Sequence, residues 1–266
     1  MNLKAMRLIW VLFLFSSSFL RGGEKPPIQL VADATFLSQY VAHGLDLSDG
    51  GPVIQGTVIA NHVLIPNLEV GFIYSYTLDR DDRIWDETGP GIRYTGVLFE
   101  DKAYALKSLS FLYYWNYPHY DVAFDKDFEP IDEDHFQGLK FEQTFFLPEL
   151  IRLGKVALVP SYKLSHWRTI KDEMFEEGFQ HEFGLEAIVP VESLKGLPVS
   201  IKGTANYHDG VLGVEEGWTH YTLQTYAVVP WKGLFLKPGL NYQWSEEPTV
   251  NKEDEFWVSL SVTKLF

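Results

Sequence analysis

From Asn67 to Thr77 the chain alternates residue by residue. Leu68, Val70, Phe72, Tyr74 and Tyr76 fall on one side of an extended strand, Glu69, Gly71, Ser75 and Thr77 on the other. Successive side chains of a strand point to opposite faces, so this segment is greasy on one face and polar on the other. The C-terminus repeats the pattern, with Phe256, Val258, Leu260 and Val262 set against Trp257, Ser259, Ser261 and Thr263. No segment after the N-terminus is apolar for long enough to be a membrane helix, yet aromatics make up 15% and hydrophobics 46% of the chain. A barrel whose oily side faces lipid has this composition, because only every second residue needs to be apolar. A soluble β-sandwich is the competing fold.

Reading for period two predicts twelve strands: about 28–43, 52–61, 67–77, 91–99, 103–117, 136–146, 156–166, 179–189, 199–208, 220–229, 234–244 and 256–266. The expected fold is therefore all-β, a transmembrane antiparallel up-and-down β-barrel of about 12 strands. Pro160 and Pro238 fall inside two of these strands and argue locally against a regular ladder. Tyr40, Tyr76, Tyr114, Trp115, Tyr162, Tyr207, Tyr242 and Trp244 recur near strand ends, where aromatic girdles belong. Residues 1–23 read as a signal peptide, with Lys4 and Arg7 before the apolar run Leu8 to Phe15 and small residues after it. The barrel is assigned to residues 24–266. The chain has no Cys, which excludes a lipid-anchored cysteine, a disulfide framework and a thiol nucleophile.

Connections after odd-numbered strands are mostly long and polar, and those after even-numbered strands are short. Of the 36 acidic residues, 26 sit in the long connections, so the net charge of -14 belongs to one end of the barrel. The densest run contains Asp125, Asp127, Glu129, Asp132, Glu133 and Asp134, an acidic mouth that either attracts cations or is simply solvated. If apolar residues face lipid, the ionisable residues within strands face inward: Glu69, Glu142, Glu182, Glu186 and Asp33 against Arg93, Lys140, Lys163, Lys202, Lys237 and Lys107. Such a mixed interior lines a wet path or pairs off to fill a narrow barrel. The acidic charge disfavours nucleic acid. Ser165 and His166 point to opposite faces, no nucleophile motif surrounds Ser38, and the eight His residues lack a short ligand spacing. No catalytic residue, metal or cofactor is expected.

Two stretches carry a resemblance to known proteins. The final strand, ending on Phe266, resembles the terminal signal of bacterial outer-membrane barrels, which implies recognition by the barrel assembly machinery through Phe266. Ser38-Gln39-Tyr40-Val41-Ala42-His43-Gly44, followed by Ser48, Asp49, Pro52 and Gln55-Gly56, resembles the N-terminal signature of the TorF-type porins, S-x-Y-x-x-R-G followed by S, P and Q-G. Tyr113-Tyr114-Trp115-Asn116-Tyr117-Pro118 is similar to that family's Y-x-Y-P element. His43 stands where the family carries Arg, which takes away a fixed positive charge. The resemblance implies an outer-membrane barrel of porin type; the strand and charge pattern adds the expectation of a narrow channel for small polar or cationic solutes, set among outer-membrane lipid and lipopolysaccharide. The alternative is a non-conducting barrel with a structural or surface-interaction role.

Overall fold

The computed structural model describes residues 28–48, 50–63, 65–78, 87–98, 106–117, 123–124, 130–131, 136–146, 151–171, 177–194, 196–210, 216–246 and 253–266. Residues 1–23, expected to be a signal peptide, and the expected acidic-mouth positions Asp125, Asp127, Glu129, Asp132, Glu133 and Asp134 lie outside the described residues. The barrel is made of β1 Gln29–Leu37, β2 Val53–Asn61, β3 Leu68–Thr77, β4 Glu87–Leu98, β5 Leu106–Tyr117 and β6 Phe136–Phe146. It continues with β7 Val156–Lys171, β8 Gly178–Val191, β9 Leu197–His208, β10 Gly217–Ala227, β11 Leu234–Ser245 and β12 Glu255–Leu265. Each strand pairs antiparallel with its neighbours in sequence. β1 also pairs with β12, from Val31 opposite Leu265 to Leu37 opposite Ser259. The sheet is thus a closed twelve-stranded ring with no unpaired edge.

The predicted strands are these twelve, and β6 has the predicted bounds. β1 differs most: it stops at Leu37, and the predicted continuation to His43 leaves the wall altogether. Pro160 and Pro238 do lie inside β7 and β11, and for Pro238 the register explains why it is tolerated. Among the described residues, pairing along β7 runs to Phe146 opposite Ser161 and includes the short strand Ile151–Leu153, which meets β7 from Leu158 to Val156. Pairing of β10 with β11 ends at Tyr226 opposite Gly239 and resumes where Val229 meets Leu236. Pro238 sits in the gap, beside a partner that has momentarily left the ladder, so its missing N–H breaks no bond on that side.

Cross-strand partners share a face, so the register sorts inside from outside. The row Pro238, Leu260, Phe36, Ile54 and Tyr76 faces out, and Phe36, Ile54 and Leu260 are each more than 40% exposed. Among the described outward-facing residues of the twelve strands, only Arg168 and Lys264 carry a fixed charge, and both stand near strand ends. Gln143 and Ser110 also face out, but they bond to each other at 2.7 Å and lie buried beneath their neighbours. A ring-shaped sheet with an uncharged apolar exterior at mid-depth is built for a bilayer, where every backbone group must be satisfied within the sheet. An outward aromatic band near one end contains His166 against Phe179 at 4.7 Å, Tyr207 against Trp218 at 5.8 Å and Tyr242 against Trp244 at 4.6 Å.

Candidate functional site

The barrel does not enclose an empty bore. Residues 38–48, in the join between β1 and β2, fold inward and cross the lumen. Their conformation follows from a short sequence: Val41–Ala42 pairs with Leu45–Asp46 as a miniature hairpin, and His43 and Gly44 form its tip with φ of 57° and 90°. A two-residue tip of this type I′ form needs positive φ at both positions, which Gly adopts freely and His more readily than most residues. The Asp46 carboxylate accepts from the backbone N–H of Ser48 at 3.0 Å and of Gly50 at 2.6 Å, which bends the return path. The base is closed by the N–H of Leu47 donating to the carbonyl of Tyr40 at 2.8 Å.

The insertion is held from several sides of the wall. Leu37, Val53 and Trp257 are buried together, with Tyr40 and Val41 packed on them, which fixes the root against β1, β2 and β12. The Tyr40 hydroxyl donates to Glu87 of β4 at 2.9 Å, and Gln39 donates to Asp46 at 2.8 Å and to Glu255 of β12. The Gln243 amide of β11 donates to the carbonyl of Gly44 at 3.0 Å. At the far side the His43 ring bonds to Gln180 of β8 at 2.8 Å and stands edge-on to Trp167 of β7 with centroids 4.4 Å apart. Tyr40 is therefore a lumen residue and not part of a girdle. Glu87 and Glu255, which the sequence counts among the loop acids, begin strands and anchor the insertion.

Beside the hairpin lies a cavity of ≈ 220 Å³, lined on one side by Val41, Ala42 and His43 and on the other by β7 to β12, including Lys163, Glu182 and Lys202. The charged groups here form a chain. Lys140 meets Glu142 at 2.5 Å, Lys163 meets Glu182 at 2.7 Å, and Lys202 reaches the other oxygen of Glu182 at 3.1 Å. Lys163 and Glu182 are cross-strand partners and Lys140 and Glu142 are on one strand, so the pairs lie flat along the β6 to β9 wall and do not bridge the lumen. Glu186, the direct partner of Lys202, instead accepts from the Tyr226 hydroxyl at 2.7 Å. Elsewhere on the inward face Arg93 pairs with Glu69, Asp33 accepts from Thr263 at 2.6 Å, Lys237 lies 4.0 Å over Tyr226, and Lys107 lies 6.0 Å from the centre of Phe146.

Strand parity puts Gln180, Asn206 and His208 on polar faces, but sequence reasoning singled out only the charged residues there and left the uncharged half of this site unnamed. Gln180, Asn206, His208, His220 and Gln243 are buried inward-facing groups at the level of the hairpin. It missed the insertion too, although Tyr40, Val41, Leu45 and Leu47 are more apolar than a solvated loop requires, and His43-Gly44 is a two-residue turn signal.

Burial, reinforced by the ammonium of Lys140, holds the His43 imidazole well below its ordinary range. The groups facing it are Trp167, Gln180, His208, Lys140 and Lys163. Near neutral pH the ring is uncharged whether the hairpin is docked or not. As pH falls through its unperturbed pKa of about 6.5, only an undocked ring takes up the proton readily, so acid weakens docking. Lowering pH from about 7.5 to about 5 should therefore increase open-state fluctuations of the barrel in a planar bilayer, a change that His43→Gln should lack. Identical traces at both pH values would show that His43 does not hold the hairpin.

No family profile matches this chain, and no curated protein does. Among solved structures it is similar to an outer-membrane channel of Pseudomonas putida F1, at 11% identity and a TM-score of 0.49 over 93% of this chain and 100% of that one. It is also similar to the β domain of the Bordetella autotransporter BrkA, at 12% identity and a TM-score of 0.49 over 90% and 98% of the two chains. A third similarity is to the translocator domain of the autotransporter NalP of Neisseria meningitidis, at 12% identity and a TM-score of 0.41 over 99% and 95%.

Proposed function

We propose that this protein is an outer-membrane channel for passive diffusion of small polar solutes, with the β1–β2 hairpin setting its aperture. The direction of the ion pairs carries this reading. They run along one wall and leave a polar cavity beside the hairpin, whereas pairs bridging opposite walls would form a plug. The placement belongs to the same proposal. Lipid meets the apolar belt, lipopolysaccharide meets the end bearing the long loops, and the assembly machinery engages the last strand. Phe266 is 67% exposed there, with its N–H bonded to the Leu30 carbonyl at 2.9 Å.

The second reading, a non-conducting barrel with a structural or surface role, is favoured by the hairpin's several anchors. Conductance of the refolded protein in a planar bilayer separates the two. Discrete ohmic steps are expected, and silence over a wide voltage range would retire the channel. The same recordings at low salt test the acidic mouth: replacing Asp125, Asp127, Glu129, Asp132, Glu133 and Asp134 by their amides should lower any cation preference of the outer entrance. An unchanged reversal potential would leave those residues as solvated loop.

A further inference from the structure

We propose that the cavity beside the hairpin is a binding site for the carboxylate end of a small solute, held by Lys163 and Lys202. This deepens the channel reading and rests on it. The cavity of ≈ 220 Å³ is room for about seven waters, and so for a carboxylate with a short carbon chain. Its charged lining is two ammonium groups and one carboxylate, Lys163, Lys202 and Glu182, which leaves one positive charge in excess. The neighbouring Lys140–Glu142 pair is neutral as a unit and does not alter that balance.

The donors are also in surplus. An ammonium has three N–H groups, and each lysine places one bond on Glu182, to Oε2 from Lys163 and to Oε1 from Lys202. The nearby acids keep their charge but stand outside the lining of the cavity. Glu186 accepts from Tyr226, and Glu87 and Glu255 accept from Tyr40 and Gln39 of the insertion; none of the three lines the cavity. Thr204, Thr222 and Gln224 add uncharged donors and acceptors, and Trp257 offers an apolar surface to the solute's carbon chain. A cationic solute meets the same two ammonium groups with Glu182 already shared between them. The constriction therefore carries the sign opposite to the acidic loops, and the cationic preference suggested by those loops does not extend to it.

Three probes of one size and different charge test the site: propanoate, propylammonium and propanamide, each added to the refolded protein in a planar bilayer. Propanoate is expected to half-block the current at a concentration at least about tenfold below that of propanamide, with propylammonium weaker still. Lys163→Met and Lys202→Met should each erase that advantage, and Glu182→Gln should enlarge it. Equal block by all three, or strongest block by propylammonium, would overturn the site while leaving the channel intact. Saturation-transfer NMR on the detergent-solubilised barrel reads the site without any current. Transfer to propanoate that persists in the Lys163→Met/Lys202→Met double variant would overturn it, and transfer lost in that variant would support it even if the barrel were silent.

Discussion

Replacing residues 41–46 by a Gly-Gly link is expected to raise single-channel conductance roughly threefold or more, because conduction through a barrel is set by its narrowest section. The base of the hairpin is already closed by the Leu47 to Tyr40 hydrogen bond of 2.8 Å, so a two-residue link spans the excision without pulling on β1 or β2. The buried group of Leu37, Val53 and Trp257 remains below the cut, and the twelve-strand ladder contains none of the removed residues. The shortened protein should therefore refold, as judged by retention of the heat-modifiable folded band on a gel. Excision would also release Gln180, Gln243 and Trp167 from the far side of the lumen. A folded variant with unchanged conductance would mean that the constriction lies elsewhere.

The largest expected loss of stability comes from charging the outer belt. Phe72 is in the middle of β3, 50% exposed, and opposite Val58 and Pro90 on the lipid side. Phe72→Arg is expected to cost about 2–4 kcal/mol, the range for an arginine facing lipid at the bilayer midplane. Thr57→Arg, one strand away, points inward and stands directly opposite Asp33, where the new charge finds water and a carboxylate. Its cost should be roughly 1 kcal/mol or less. Denaturant titrations in lipid vesicles measure both. Equal costs, or a larger cost at Thr57, would invert the assignment of faces.

The fold was legible because its instructions are local and repeated. In β3 and β12 every second residue declares a face, and the polar rows of neighbouring strands need only agree in register for the ring to close. The inward ionisable residues were legible for the same reason, since Lys163 and Glu182 follow from strand parity alone. Position 40 was harder. A tyrosine at a strand end is the same symbol whether the chain continues along the wall or turns into the lumen, and the contacts that decide it, with Glu87, Val53 and Trp257, are distant in sequence. Of the residues that carry the resemblance between Ser38 and Gly56, Ser38 extends the ladder to Val258, Gly44 makes the tip, Ser48 accepts from the N–H of Tyr40, and Gln55 donates to Ser75. Nothing in the structure explains Gly56, whose side-chain position is open.

The join between β1 and β12 brings together residues about as far apart in sequence as this chain allows: Asp33 and Thr263, 230 positions apart, bond at 2.6 Å, and Thr35 meets Ser261 at 2.7 Å. Local hairpins such as Trp231 to Leu234 can zip as soon as their residues meet, but this seam waits on diffusion of the two ends of a nearly finished ribbon. Until it locks, two strand margins are bare in an environment with no water to satisfy them. Ring closure is then the slow and hazardous moment in the barrel's biogenesis, and the hydroxyl-to-carboxylate clasp between its first and last strands works as the catch that ends it.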